Sequence, residues 1–171
     1  MACRRSAPRV EDQRTPVVTP LTHRKATDAD LDFLAEWNWQ LIRDEGHRNR
    51  MTPAELKERM REWLKGEYTA FLFSAGDEPV AYSVHKEDDD GVFLRQLFVA
   101  RGRRRSGIGR AVMECLFALW RGRRLSVNVL CANRPALEFY RSLGYRDYYL
   151  CLEIPPADAP GKDATTKADS P

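Results

Sequence analysis

Phe93-Leu94-Arg95-Gln96-Leu97-Phe98-Val99, followed after five residues by Arg105-Ser106-Gly107-Ile108-Gly109, decides how the chain is read. The first run is short, apolar and rich in aromatic and β-branched residues, so it reads as a strand. Beyond the glycines, Ile108, Ala111, Val112, Cys115 and Leu119 recur at helical spacing, so an amphipathic helix follows. A strand thus runs through a glycine-containing turn into a helix N-terminus. The first turn of a helix has N–H groups without internal partners and a partial positive charge, which suits phosphate. Gly107 and Gly109 let an anion approach the backbone closely, and the arginines add charge.

Two phosphate motifs fail here. A P-loop needs Lys followed by Ser or Thr after its second glycine, but Gly107 is followed by Ile108-Gly109. A dinucleotide fingerprint needs a third glycine where Val112 stands, and it opens a βαβ unit rather than sitting mid-chain. Arg-x-x-Gly-x-Gly after Leu97-Phe98-Val99 instead resembles the acetyl-CoA pyrophosphate loop of the GNAT acetyltransferase superfamily. A second block, from Asn133 through Ala136, Phe139 and Tyr140 to Gly144 and Tyr145, resembles that family's second cofactor motif.

The rest of the chain suits a single domain. Its 171 residues are 43% hydrophobic, enough for a core, and 28 basic against 25 acidic residues leave no general attraction for polyanions. Cys3, Cys115, Cys131 and Cys151 form no Cys-x-x-Cys pair and no zinc pattern, so reduced thiols and no metal are expected. Cys115 reads as a core residue, and Cys131 lacks an evident base that would make it a nucleophile. Without a signal peptide or an apolar run near ~18 residues, a cytoplasmic protein with no membrane partner is expected.

Residues 1–16 and 155–171 read as disordered tails around a domain at 17–154. Within it, Val17 to Lys25 reads as an edge strand, and a helix capped by Thr27 carries Leu31, Leu34, Trp37 and Leu41. Thr52-Pro53-Ala54-Glu55 is a capping box that opens a second helix, with Met51 stapled to Leu56 and Gly66 at its end. A hairpin at 68–85 turns at Ala75-Gly76-Asp77-Glu78, and the acidic run 87–90 reads as a solvated turn. A strand at 125–130, a helix at 135–143 and final strands at 145–154 complete an α+β order. The resemblance implies a mixed, mostly antiparallel sheet flanked by helices and splayed between the fourth and fifth strands.

It also implies roles. Backbone groups of Leu97 and Val99 would hold pantetheine, with an N–H of Phe98 or Val99 facing the oxyanion. Arg104, Arg105, Ser106, Gly107, Ile108, Gly109 and Arg110 would hold the pyrophosphate, and Asn133 the pantetheine arm. Tyr140 would be the acid for the departing thiolate of the co-substrate acetyl-CoA. Many relatives carry a carboxylate on the motif strand where this chain has Arg95 and Gln96, which leaves Glu36, Asp44, Glu45, His47 and His85 as candidate bases. Arg95 and Gln96 would disfavour a polyamine and tolerate an amine that also bears a carboxylate.

The acceptor is expected to be a primary amine of a small molecule or peptide, and a homodimer is an allowed assembly. Two other classes remain open: a CoA-binding sensor without the missing carboxylate, and a nucleic-acid binder using Arg101, Arg103, Arg104, Arg105, Arg110, Arg121, Arg123 and Arg124.

Overall fold

Apolar runs bounded by turn residues form the strands, and runs with three- and four-residue apolar spacing form the helices. The computed structural model describes residues 20–154, so the expected tails and residues 17–19 lie outside the described residues. In chain order come β1 (Leu21–Lys25), α1 (Leu31–Asp44), α2 (Pro53–Lys65), β2 (Tyr68–Ala75), β3 (Glu78–Asp88) and β4 (Gly91–Val99). Then follow α3 (Ile108–Leu119), β5 (Leu125–Val127) and α4 (Arg134–Ser142), with short 3₁₀ turns at Asp28–Asp30 and Arg101–Arg103. One sheet has the order β1-β2-β3-β4-β5, antiparallel throughout except for the parallel pair β4 and β5. The architecture is the α+β one expected.

Local signals act as read. The Thr52 N–H donates to Glu55 Oε2 (2.7 Å) and the Glu55 N–H to Thr52 Oγ1 (3.3 Å), closing the capping box of α2. The apolar stripes of the helices bury Leu31 and Leu34 of α1 and Leu56 and Met60 of α2. Each such side chain contributes about 1.5–3 kcal/mol on burial.

The sheet has a core on each face. Phe73, Val80, Ala81, Val92 and Leu94 pack with Val112, Met113 and Leu116 of α3 and with Tyr140 of α4. On the other face Ala70, Leu72, Tyr82, Val84 and Phe98 pack with Leu31, Leu34 and Leu41 of α1 and Met60 of α2.

Two irregularities in β4 shape the site. Val84 pairs with Gln96 and His85 with Leu94, so Arg95 is a surplus residue, a β-bulge. On the opposite edge β5 pairs only with Val92, Phe93 and Leu94. Beyond Leu94 the two strands part, and this is the expected splay. Their contact begins at Gly91, where the Val92 N–H donates to Arg124 O (2.8 Å). A Cβ on Gly91 would stand 2.3 Å from that oxygen, so only glycine fits.

Two expectations are corrected. The fifth strand ends at Val127, not Leu130, because the splay removes its partner. Residues 145–154 form no strand, and Tyr148, Tyr149, Leu150, Leu152 and Ile154 are 64–83% exposed. A three-residue β5 offers too short an edge for a ladder, and a nearly continuous apolar run has no face that must turn inward. An Arg141–Asp147 ion pair (2.7 Å) and the Tyr149 hydroxyl donating to Asn128 Oδ1 (3.0 Å) hold the segment instead.

Candidate active site

The loop between β4 and α3 presents a row of free donors. Among the described residues, the backbone N–H groups of Arg105, Ser106, Gly107, Ile108, Gly109 and Arg110 donate no hydrogen bond, and the helix ladder begins with Ala111 N–H to Gly107 O (3.0 Å). Arg105 (φ 63°) and Gly107 (φ 86°) are both left-handed, which curls these amides into a concave anion cradle. No atom lies within 4 Å of where a Cβ on Gly107 would stand, so the cradle is open. At Gly109 a Cβ would lie 3.4 Å from the Phe139 ring and 3.7 Å from Val99 Cγ2, which brings loop, β4 and α4 to one place. These residues fit a diphosphate.

The side chains of the loop mostly brace it. Arg104 donates from Nε to Val99 O (3.0 Å) and from Nη2 to Asp44 Oδ2 (2.5 Å). Ser106 Oγ donates to Arg103 O (2.6 Å). Arg104 therefore positions the cradle, whereas the exposed Arg105 guanidinium has no ion-pair partner among the described residues. Arg110 reaches only Ser142 Oγ (3.3 Å).

Backbone direction sorts the expected pantetheine and oxyanion groups. The Ala100 N–H donates to Val80 O (2.9 Å), and the groups of successive strand residues point to opposite sides. Leu97 and Val99 thus turn their amides away from β3 into the gap left by β5. The Phe98 N–H is turned toward its partner Tyr82 on β3, so Val99 rather than Phe98 offers a donor to the gap.

Helix α4 closes the other side. Asn133 caps it, with Oδ1 accepting from the Ala136 N–H (3.2 Å), which leaves its amide NH₂ free to donate. Tyr140 is buried, with its ring 5.2 Å from Phe139 and 5.4 Å from Tyr145. Burial first, then Tyr145 and the Glu45 carboxylate, push its pKa up.

The five candidate bases separate. Asp44 receives Arg101 (2.6 Å) and Arg104; burial alone would raise its pKa, but those hydrogen bonds outweigh it and hold the carboxyl below its usual range. That carboxylate is locked as a structural anion. His85 is 1% exposed between Phe71 and Trp120 on the α3 face, and burial, with Lys25, lowers its pKa to about 4. Glu36 and His47 are exposed and hydrogen-bonded locally to Gln40 (3.1 Å) and Asn49 (3.0 Å). Glu45, at the C-terminus of α1, is half-buried without a side-chain partner among the described residues. Burial and then the charge of Asp44 raise its pKa.

On the α1–α2 face of β4, sequence reading missed the partners of Gln96. Gln96 Nε2 donates to the fully buried Asn38 Oδ1 (2.7 Å), and the Tyr82 hydroxyl donates to Gln96 Oε1 (3.2 Å). Asn38 lies on the apolar stripe of α1, between Leu34 and Leu41, and a polar residue at such a position was the available signal. Cys131 is exposed and Cys115 packs against the α3 core. Among the described residues no group of three potential ligands could hold a metal, and no helix is long and apolar enough to cross a membrane.

Comparison with known proteins fits this geometry. A point mutant of the BH1408 protein from Bacillus halodurans has a similar fold (TM-score 0.67, 25% identity, covering 78% of this chain and 98% of that one). A possible acetyltransferase from Clostridium difficile 630 aligns with TM-score 0.67 at 21% identity, over 79% of this chain and 97% of that one. A predicted acetyltransferase from Clostridium acetobutylicum, solved with acetyl-CoA, aligns with TM-score 0.61 at 14% identity, over 80% and 96%. No curated protein sequence matches. The sequence matches the acetyltransferase (GNAT) family over residues 31–145, more than half of the chain, and with the free-amide cradle at the head of α3 beside a splayed β4 this chain belongs to that family, whose members use acetyl-CoA.

Proposed function

We propose that the protein transfers an acetyl group from acetyl-CoA to a primary amine of a small molecule or peptide, by direct attack in a ternary complex. The observation that carries this reading is the row of six unbonded N–H groups, Arg105 to Arg110, beside the gap that exposes the Leu97 backbone and the Val99 N–H. Acetyl-CoA supplies an activated thioester, whose acetyl carbon takes the nitrogen and whose sulfur leaves with a proton.

The chain's own residues divide the remaining work. Glu45 takes the proton of the acceptor's ammonium, directly or through a water, because its raised pKa and free carboxylate suit a base. The Val99 N–H faces the gap, where a carbonyl oxygen gathers charge as the nitrogen attacks. Tyr140 keeps its proton at neutral pH, since its pKa is raised, and its hydroxyl donates a hydrogen bond to the departing sulfur. A phenol of raised pKa is a poorer proton source than a thiol near 8.5, so the sulfur's proton comes in the end from the nitrogen. Asn133 holds the pantetheine arm through its free amide NH₂.

Several observations weigh against nucleic acid as the ligand of the arginine run. Arg101 and Arg104 are paired with Asp44, Arg103 with Glu78, and Arg123 with Glu87 (3.5 Å). The unpaired Cys115, Cys131 and Cys151 suit a cytoplasmic setting.

The test follows thiol release across an amine panel, beside thermal unfolding with and without acetyl-CoA. Stabilisation by acetyl-CoA and intersecting initial-velocity lines are expected. No stabilisation would sink the reading, and stabilisation with no turnover on any amine would leave a CoA-binding protein without transferase activity.

A further inference from the structure

Among the described residues, two guanidinium groups on the α1–α2 face of β4 lack a counter-ion. Arg59 of α2 has its Cζ 4.7 Å from the centroid of the Trp63 ring, and Arg95 of β4 has its Cζ 5.0 Å from the same ring. The bulge explains how Arg95 arrives there, because it puts two successive side chains, Arg95 and Gln96, on one face of the strand. Other arginines have carboxylate partners: Arg61 pairs with Glu58, Arg24 with Asp30, and Arg101 and Arg104 share Asp44. Among the described residues neither Arg59 nor Arg95 has a carboxylate within ion-pairing distance. The Arg59 side chain makes one weak hydrogen bond, from Nη1 to Met51 Sδ (3.3 Å), and its Nε is buried without a partner.

This arrangement gives the fold little. A buried N–H without an acceptor is destabilising, and burial together with the charge of Arg95 pulls the pKa of Arg59 down. Stacking on Trp63 offsets part of that cost but supplies no acceptor. An anion between the two cations removes both penalties at once, and a guanidinium fork matches a carboxylate or phosphate. Arg95 stands next to Gln96, whose side chain is hydrogen-bonded to Asn38 of α1 and to the Tyr82 hydroxyl of β3, so the cations adjoin the polar network on the α1–α2 face.

We propose that Arg59 and Arg95, on the Trp63 platform, bind the anionic group of the acceptor, a carboxylate or phosphate carried by the same small molecule whose primary amine is acetylated. The proposal rests on the acetyl-transfer reading above. A polyamine would place a second cation against two others and be rejected.

The experiment uses the full chain with acetyl-CoA and four acceptors: alanine, phosphoethanolamine, alaninamide and putrescine. At least one anionic amine is expected to exceed alaninamide and putrescine in kcat/KM by about ten-fold or more. Arg95→Ala should raise KM for that amine by about ten-fold with kcat retained, leave alaninamide unchanged, and be partly rescued by Arg95→Lys. In a second arm, saturating CoA fills the phosphate cradle, and alanine or phosphoethanolamine should still raise the melting temperature of the wild type but not of Arg95→Ala. Because Arg95 is exposed, that variant should fold even if Arg59→Leu does not.

Equal or better use of alaninamide or putrescine, or an Arg95→Ala variant indifferent to the acceptor's charge, overturns the proposal while leaving acetyl transfer intact. If no acceptor is turned over, the melting arm decides, and no shift by either anionic amine overturns it. Loss of the acetyl-CoA shift itself would instead strike the transfer reading.

Discussion

The two sides of the proposed active site are built from different material. On the α3–α4 side the binding groups are main-chain amides at a loop and a strand edge, fixed by backbone conformation at Arg105 and Gly107 and by Arg104 braced on Asp44. On the α1–α2 side they are side chains from four elements, α1, α2, β3 and β4: Glu45, Arg59, Arg95 and the Asn38–Gln96–Tyr82 network. A backbone site accepts one ligand class and depends on few letters of sequence. A side-chain site depends on which residues happen to meet.

The comparison breaks most severely at Gly107. Gly107→Glu combines a side chain at φ 86° with a carboxylate inside the anion cradle, so acetyl-CoA affinity measured by calorimetry should fall by at least about 100-fold. Retained affinity would mean the free amides are not the binding site. Tyr140→Phe should lower kcat by roughly 100-fold while the acetyl-CoA melting shift persists, because among the described residues its hydroxyl makes no hydrogen bond whose loss would destabilise the fold. An unchanged kcat would make Tyr140 a core residue only.

Glu45→Gln sharpens the side-chain half. Since burial and Asp44 raise the pKa of Glu45, the carboxylate is a competent base only above a pH higher than the ordinary value of about 4.3. The acid limb of kcat/KM should therefore lie above that value, and in Glu45→Gln it should vanish with activity about 10- to 100-fold lower. A surviving limb would move the base elsewhere. The smallest effect is a control distant from both halves: Thr52→Ala should cost about 1 kcal/mol in denaturant unfolding with kcat unchanged.

This division also explains what could be read from the sequence. The cradle, α3, α4 and the capping box of α2 were legible because each follows from local rules, glycine placement and helical spacing. Asp44 as a locked anion was not, since its partners Arg101 and Arg104 lie more than fifty positions downstream. Nor was the pairing of Arg59 with Arg95, which needs the bulge that brings the Arg95 side chain onto the helix-covered face. The strands expected at 145–154 failed for a related reason, because composition supplied a strand-like run and the fold supplied no edge long enough to receive it.

Because Arg95 is the residue that β3 cannot match, it is also a position of β4 whose loss keeps the phase of the rest. Deleting it would leave Leu94 opposite His85 and Gln96 opposite Val84 in a regular ladder, with Leu97 still toward α3 and Phe98 still toward α1. Exchanges of letter at 95 and 96 leave that phase untouched. On the reading proposed above, descendants of this chain can therefore change which amine they serve without moving the seat of the acetyl donor.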